Sequence, residues 1–317
     1  MTGAVCFEDI ERAARRIHGH VRRTPCLRAD QLSAPLCAGD LWLKLEYLQV
    51  TGSFKARGST NKLLSLPAEA LARGVVTASG GNHGLAVARA ARLAGVPATV
   101  FLPENAAPSK IAKLRRWGAE VHVAGAFWDE AHVVALQEAE RSGACYFHPF
   151  ADREIVAGQG TVALEIIEDL GTVDVYLIAV GGGGLIAGMA TAIRRKNPAA
   201  RIIGIEPKGS PTLHDSLLAG RAVRLPAVTT RVATMACGQT DEAIVESLRD
   251  AVERIVLVED EDLEAAARWL WFELGIAADL SGAASIAALM TGAVTIEPGA
   301  RVCGIVCGAG LEGHATP

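Results

Sequence analysis

Between Gly74 and Phe150 the chain reads GVVTAS (74–79), NHGLAVARAARLAGV (82–96), ATVFLP (98–103), PSKIAKLRRWGA (108–119), EVHVAG (120–125), WDEAHVVALQEAERSG (128–143) and ACYFHPF (144–150). Short apolar runs rich in valine alternate with longer segments whose apolar residues recur three and four apart, the signature of strand, helix, strand. The stretch 74–150 therefore reads as a small parallel α/β lobe. A second alternation follows: EIVAGQGTVALEIIEDLG (154–171), VDVYLIAVG (173–181), GLIAGMATAIRRKNPAA (184–200), RIIGIEP (201–207) and, near the end, VCGIVCG (302–308). It predicts a larger α/β lobe over 151–317. The amphipathic helix FEDIERAARRIHGHV (7–21) and LWLKLEYL (41–48), which alternates like a strand with helix as the alternative, are expected to pack on that lobe, so 1–73 is assigned to it as well. With no tandem repeat or low-complexity linker, the two parallel-sheet lobes should be joined by short crossings. The cleft between them, beyond the carboxyl ends of the strands, is the place to look for a ligand.

Bulk properties narrow the partners. At 317 residues, 50% hydrophobic and 21% charged, the chain can bury two cores and has no disordered character. A formal net charge of −4 offers no basic field for nucleic acid or an anionic bilayer. Residues 1–25 lack an apolar signal core, and no apolar stretch is long enough to span a membrane. Seven cysteines, odd in number and without a Cys-x-x-Cys pair, favour a reducing compartment. A cytoplasmic protein that takes a small-molecule ligand is the expectation.

Three segments carry residues suited to chemistry. In QVTGSFKARG (49–58), Gly52 permits a tight turn, Ser53 is placed to cap a helix starting near Phe54, and Lys55 falls in its first turn. There the positive end of the helix dipole disfavours an ammonium and favours a neutral, nucleophilic amine; a plain surface lysine is the alternative. In VGGGGLIAG (180–188), the glycines let backbone N–H groups approach an anion at a helix start, which suits a phosphate. No Gly-Lys-Ser/Thr follows, so this is no P-loop. Gly182, Gly184 and Ala187 do match the dinucleotide pattern G-x-G-x-x-A, with Glu206 where a ribose-binding acid would stand, so an NAD-dependent oxidoreductase stays open on this segment alone. In TASGGNHG (77–84), Ser79, Gly80, Gly81, Asn82 and His83 offer donors at a helix N-terminus, suited to a carboxylate; a helix cap by Asn82 and a histidine bonded to a backbone carbonyl would equally explain them.

Together and in this order, RRTPCL (22–27), LKLEYLQVTGSFKARG, ASGGNHG, HPF, AGQGT (157–161), GGGG, GIEP, SGAA (281–284) and CGAG resemble the fold-type II pyridoxal-phosphate enzymes, specifically the threonine/serine dehydratase and serine racemase group. The resemblance spans nearly the whole chain and implies a tryptophan synthase β-like architecture with pyridoxal 5'-phosphate in the cleft. It makes Lys55 the catalytic lysine that holds the cofactor as a Schiff base, with Phe54 beside the ring. It makes Asn82 the partner of the ring's phenolic oxygen, Gly181, Gly182, Gly183 and Gly184 the phosphate site, and Cys307 the neighbour of the ring nitrogen. Ser79, Gly80, Gly81, Asn82 and His83 would receive the substrate carboxylate, with Gly238 near the substrate side. The implied reaction is ammonia-lyase chemistry: a β-hydroxy amino acid of threonine or serine type becomes a 2-oxo acid and ammonia. Cys307 stands where the group usually has serine; a neutral thiol does not force the pyridine to be protonated, which suits elimination over transamination. A homodimer follows from family habit.

Departures sharpen the expectation. Gly80 replaces the second serine that racemases use as a proton donor, so dehydration is favoured over racemisation. Ser210 and Thr212 follow Glu206 where members with a divalent ion have an aspartate, so no metal is expected. Asp279 stands for a common glutamate, and Gly310 for a common asparagine, both beside the expected site. They point to a substrate other than threonine, such as phenylserine, hydroxyaspartate or a hydroxyectoine-derived acid, among which sequence does not choose. Because the sequence ends at Pro317, a C-terminal regulatory domain is not expected.

Overall fold

The computed structural model describes residues 4–104, 106, 108–125 and 128–314. Among these the strands are β1 (Cys26–Arg28), β2 (Asp40–Lys44), β3 (Val75–Ala78), β4 (Ala98–Leu102), β5 (Glu120–Val123), β6 (Cys145–Tyr146), β7 (Val175–Ala179), β8 (Arg201–Pro207), β9 (Arg254–Val258) and β10 (Arg301–Ile305). They form a six-stranded sheet in the order β1-β2-β10-β7-β8-β9 and a four-stranded sheet in the order β5-β4-β3-β6. The smaller sheet is drawn wholly from residues 75–146 and is parallel throughout. In the larger sheet every pair is parallel except β1 on β2, an antiparallel edge that the reading of purely parallel lobes did not include.

The centre of the larger sheet is apolar because helices cover both faces: every residue of β7, VYLIA, is buried, as a central parallel strand requires. Three helices meet near the cleft: Lys55–Ser65, Arg153–Leu170 and Gly184–Lys196. Their approach is backbone to backbone. A Cβ on Gly158 would lie 2.6 Å from Gly58 Cα, and one on Gly188 would lie 2.7 Å from Gly160 N. This is the physical content of the glycines in AGQGT: a side chain at either position would push the lysine-bearing helix or the phosphate-loop helix off the helix between them. The N-terminal helix Phe7–Ile17 packs on the same group, burying Ile10 and Ala13.

Some local readings need correction. LWLKLEYL is strand only to Lys44 and then turns through a short 3-10 segment, Glu46–Leu48. Phe54, not Ser53, is the residue preceding the helix Lys55–Ser65, and no side chain caps it; the Ser53 hydroxyl is buried without a hydrogen-bond partner. Asn82 is likewise inside its helix, Asn82–Ala94, with Gly81 before it.

Candidate active site

Lys55 is positioned by a turn that the sheet end holds in place. Thr51 (φ 64°) and Gly52 (φ 83°) adopt left-handed conformations, confirming the tight turn at Gly52. The chain leaving β10 zips along that turn: Tyr47 N–H donates to Val306 O (2.8 Å), Phe54 N–H to Cys307 O (3.2 Å) and Ala309 N–H to Gly52 O (2.8 Å). Lys55 and Cys307, 252 positions apart in the numbering, thereby become neighbours. The Lys55 Nζ donates to Pro149 O at 2.7 Å and lies 5.1 Å from the Phe54 ring centroid. Burial pushes its pKa down to about 8, which makes the neutral amine far more available near physiological pH than at the ordinary lysine value.

Pro149 belongs to a turn shaped by a histidine. His148 Nδ1 accepts from Phe150 N (3.3 Å) and Ala151 N (2.9 Å), and burial, with His132 and Lys55 adding repulsion, lowers its pKa to about 3, so it stays a neutral acceptor. The same turn lays the Phe150 ring against the glycine loop. A Cβ on Gly182 would overlap that ring, one on Gly184 would come 2.8 Å from Phe150 O, and Gly183 has φ 90°. Thr240 Oγ1 fastens the loop by donating to Gly182 O (3.0 Å). The amides of Gly181 to Gly184 donate to no described group, and they sit at the start of the helix Gly184–Lys196. A ring of unpaired N–H groups with no side chain in the way, at the positive end of a helix, is built for a phosphate.

The asparagine loop closes the other side. Gly84 is required because a Cβ there would fall on Ser79 O. Gly81 N–H donates to Ser79 Oγ (3.4 Å). Asn82 crosses the cleft, its Nδ2 donating to Asp279 Oδ2 at 3.0 Å. The His83 ring turns inward instead: it is 2% exposed, bonded through Nε2 to Phe147 O (3.1 Å), and kept neutral by burial and by Lys55 nearby. Of this residue the backbone amide, not the side chain, remains for an anion. Gly80 contributes no side chain, and a Cβ there would meet Leu102 at 3.1 Å. Cys307 is buried, its thiol raised well above the ordinary value by burial and by Asp279, and its Sγ lies 3.4 Å from Ser281 Oγ. Gly238 lies in a partly buried loop, its carbonyl accepting from Leu225 N (2.8 Å).

Glu206 has another task. Its Oε1 and Oε2 accept from Leu213 N (2.8 Å) and His214 N (2.9 Å), and it is fully buried with a pKa pushed up to about 8. It anchors the start of the helix Thr212–Ala219, which withdraws it from any ribose. Ser210 Oγ and Thr212 Oγ1 lie 3.2 Å apart, each within hydrogen-bond reach of Cys237 O.

Sequence reading missed the foundation beneath Lys55. Arg57, 1% exposed, donates to Glu46 and Glu165, which also takes Lys44 Nζ at 2.6 Å, while Thr24 bonds Glu46. Burial works against the Glu165 carboxylate, but Arg57 and Lys44 outweigh it and hold its pKa low. Two cations and two carboxylates compensate one another two residues from the reactive amine. The only trace in the sequence was an arginine at Lys55 plus two, which periodicity does not interpret.

A buried lysine amine, a phosphate cradle, an amide and a neutral thiol, gathered between two largely parallel sheets, define an enzyme that works through a phosphorylated pyridine aldehyde. The chain belongs to the family of pyridoxal-phosphate-dependent enzymes, whose pattern matches residues 17–308, and it has the fold-type II architecture. It is 42% identical over 294 residues to the L-threonine ammonia-lyase of Geobacter sulfurreducens, covering 93% of this chain and 73% of that one. It is 40% identical over 286 residues to the L-threonine ammonia-lyase of Thermotoga maritima, covering 90% and 71%. Among solved structures, maize serine racemase superposes with a TM-score of 0.92 at 32% identity, covering 96% of this chain and 94% of the other. The cofactor is pyridoxal phosphate, and the dinucleotide reading of the glycine loop is set aside. Among the described residues no helix is long and apolar enough to cross a membrane.

Proposed function

We propose that the chain is an ammonia-lyase that converts a β-hydroxy amino acid, L-threonine first and L-serine second, into a 2-oxo acid and ammonia. The observation that carries this is the Lys55 amine, held between Pro149 O and the Phe54 ring with its pKa near 8, a base poised for neutral pH. The two relatives named L-threonine ammonia-lyase support the same reading. Bound at Lys55 and Gly181–Gly184, the cofactor supplies an electron sink that acidifies the Cα–H of an attached amino acid. The chain does the rest. The backbone donors of Ser79 to His83 hold the carboxylate, Lys55 takes the α-proton once its amine is free, and the β-hydroxyl leaves from a site shielded from water. Cys307, a neutral thiol, gives the pyridine nitrogen no carboxylate to keep it protonated, which limits the sink to elimination.

Racemisation would need an acid on the opposite face of the substrate, and Gly80 has none to offer. We further assign residues 74–150 to a small lobe that closes on substrate and 1–73 with 151–317 to a large one, in a cytoplasmic homodimer. The test is a visible spectrum of the purified protein with L-threonine, L-serine and threo-phenylserine added in turn, alongside a 2-oxo acid assay. A cofactor band that shifts as oxo acid accumulates supports the lyase. A band that shifts while the substrate only changes hand returns the racemase.

A further inference from the structure

Asp279 is the least explained buried charge in the cleft. It is 5% exposed, and its side-chain hydrogen bonds are all accepted from donors: Ser281 Oγ (2.6 Å) and Gly282 N (2.7 Å) on Oδ1, Asn82 Nδ2 (3.0 Å) on Oδ2. Burial raises the pKa of this carboxyl, and the three donors, with no acceptor among them, oppose that shift and favour the ionised form. Its backbone is fixed as well, with its N–H donating to Gly308 O at 2.9 Å. The surroundings leave room for this short side chain and little else. A Cβ on Gly308 would overlap the carboxylate and lie 2.9 Å from Asn82 Nδ2, and one on Gly310 would lie 2.6 Å from Asp279 Cα. The aspartate and the glycine that set this sequence apart at 279 and 310 are thus one packing solution.

We propose that Asp279 is a positioning residue that sets, from one carboxylate, the donor and acceptor polarity at both ends of the cofactor ring. The proposal rests on the assignment of Asn82 to the ring oxygen and Cys307 to the ring nitrogen. On the first arm, an amide can present either its NH2 or its oxygen to a neighbour, and the two orientations have nearly the same shape. A carboxylate accepts only, so Asp279 selects the NH2 end, which leaves the second Asn82 N–H for the ring oxygen. On the second arm, Ser281 has one hydroxyl hydrogen and gives it to Asp279 Oδ1. Toward Cys307 it therefore has only a lone pair, so the thiol proton points to Ser281 across 3.4 Å. The hydrogens run Cys307 to Ser281 to Asp279, and Asn82 to Asp279. The ring oxygen is met by a fixed donor, and the ring nitrogen by a sulfur whose proton is engaged elsewhere. An asparagine at 279 cannot accept from both arms, since one end of its amide is a donor, so one arm must reverse.

The experiment is a double-mutant cycle on cofactor dissociation and on the visible band of the pyridoxal-phosphate-loaded protein, using wild type, Asp279→Asn, Asn82→Ala and the double variant. Each single variant is expected to weaken cofactor binding at least about tenfold, the loss of one charge-assisted hydrogen bond, and to move the band. If Asp279 acts through Asn82, the double variant is no weaker than the worse single one, within about twofold. Losses that multiply, or an Asp279→Asn band identical to wild type, overturn the proposal while leaving the lyase reading intact. A wild-type protein that forms no band with pyridoxal phosphate overturns both. Should Asp279→Asn fail to fold, Ser281→Ala and Cys307→Ala make the same cycle on the second arm: a shared band shift that does not add supports the chain, and two independent shifts overturn it.

Discussion

At the scale of single residues, reactivity follows from burial. The Lys55 amine has its pKa lowered from 10.5 to about 8 because the folded chain penalises the ammonium. Between those values the folded protein binds fewer protons than the unfolded one, so this group's contribution to the stability of the cofactor-free protein rises with pH across that window and is level below about 8. Cofactor attachment needs the neutral amine. Its rate, followed by stopped-flow absorbance, should climb with pH up to about 8 and plateau above. Lys55→Ala should leave no covalently held cofactor after borohydride reduction, read by mass spectrometry, and no turnover; retained lyase activity would remove Lys55 from its role. Cys307→Ser should keep both the cofactor band and turnover, because a hydroxyl can replace the thiol in the bond to Ser281. The type of each of these residues was legible in the sequence. Their pKa values were not, because desolvation is supplied by neighbours far along the chain.

Among elements, two are held by constraints with opposite characters. The glycine loop works by what it lacks. Gly182→Ala puts a methyl into the Phe150 ring, an overpacking worth about 1–3 kcal/mol. Titration with pyridoxal phosphate should show a large loss of affinity in this variant, with a smaller change in the unfolding midpoint. The helix Lys55–Ser65 instead rests on buried charge. Removing the guanidinium in Arg57→Met strands Glu46 and Glu165 without their main partner, and urea unfolding should show a loss of about 3–5 kcal/mol. The glycine run announced itself in sequence because four in a row have few other uses. The ion cluster did not, since Glu165, far along the chain, joins Lys44, Glu46 and Arg57 only in the folded protein.

For the whole molecule, the site is made of contributions from both sheets. Asn82 follows β3 in the smaller one, while Cys307 follows β10 in the larger, and Asp279 ties the two at 3.0 Å. A ligand seated among them binds the folded, assembled chain and not the unfolded one. Calorimetry with pyridoxal phosphate at a hundred times its dissociation constant should therefore show added stability of about 2.7 kcal/mol for the chain as a unit. A rise confined to one of two separate transitions would mean the cofactor touches only one lobe.

The alternation of apolar and helical segments determined the α/β class and the two sheets, because strand and helix periodicities are written in local sequence. Ordered glycine, lysine and asparagine motifs pointed to the cofactor through the family they resemble, whereas the glycine loop read alone left a dinucleotide open. The antiparallel edge β1, and the choice of the backbone carbonyl over an anion as partner of the His83 ring, depended on pairing and packing between distant segments. Tertiary structure alone decided that Asp279 faces Asn82 and Ser281, that Pro149 receives Lys55, and that Glu206 is spent on a helix start. The contacts of Asp279 with Asn82 and of Lys55 with Pro149 join distant segments, and their geometry comes from how two sheets and their glycine-spaced helices fit together.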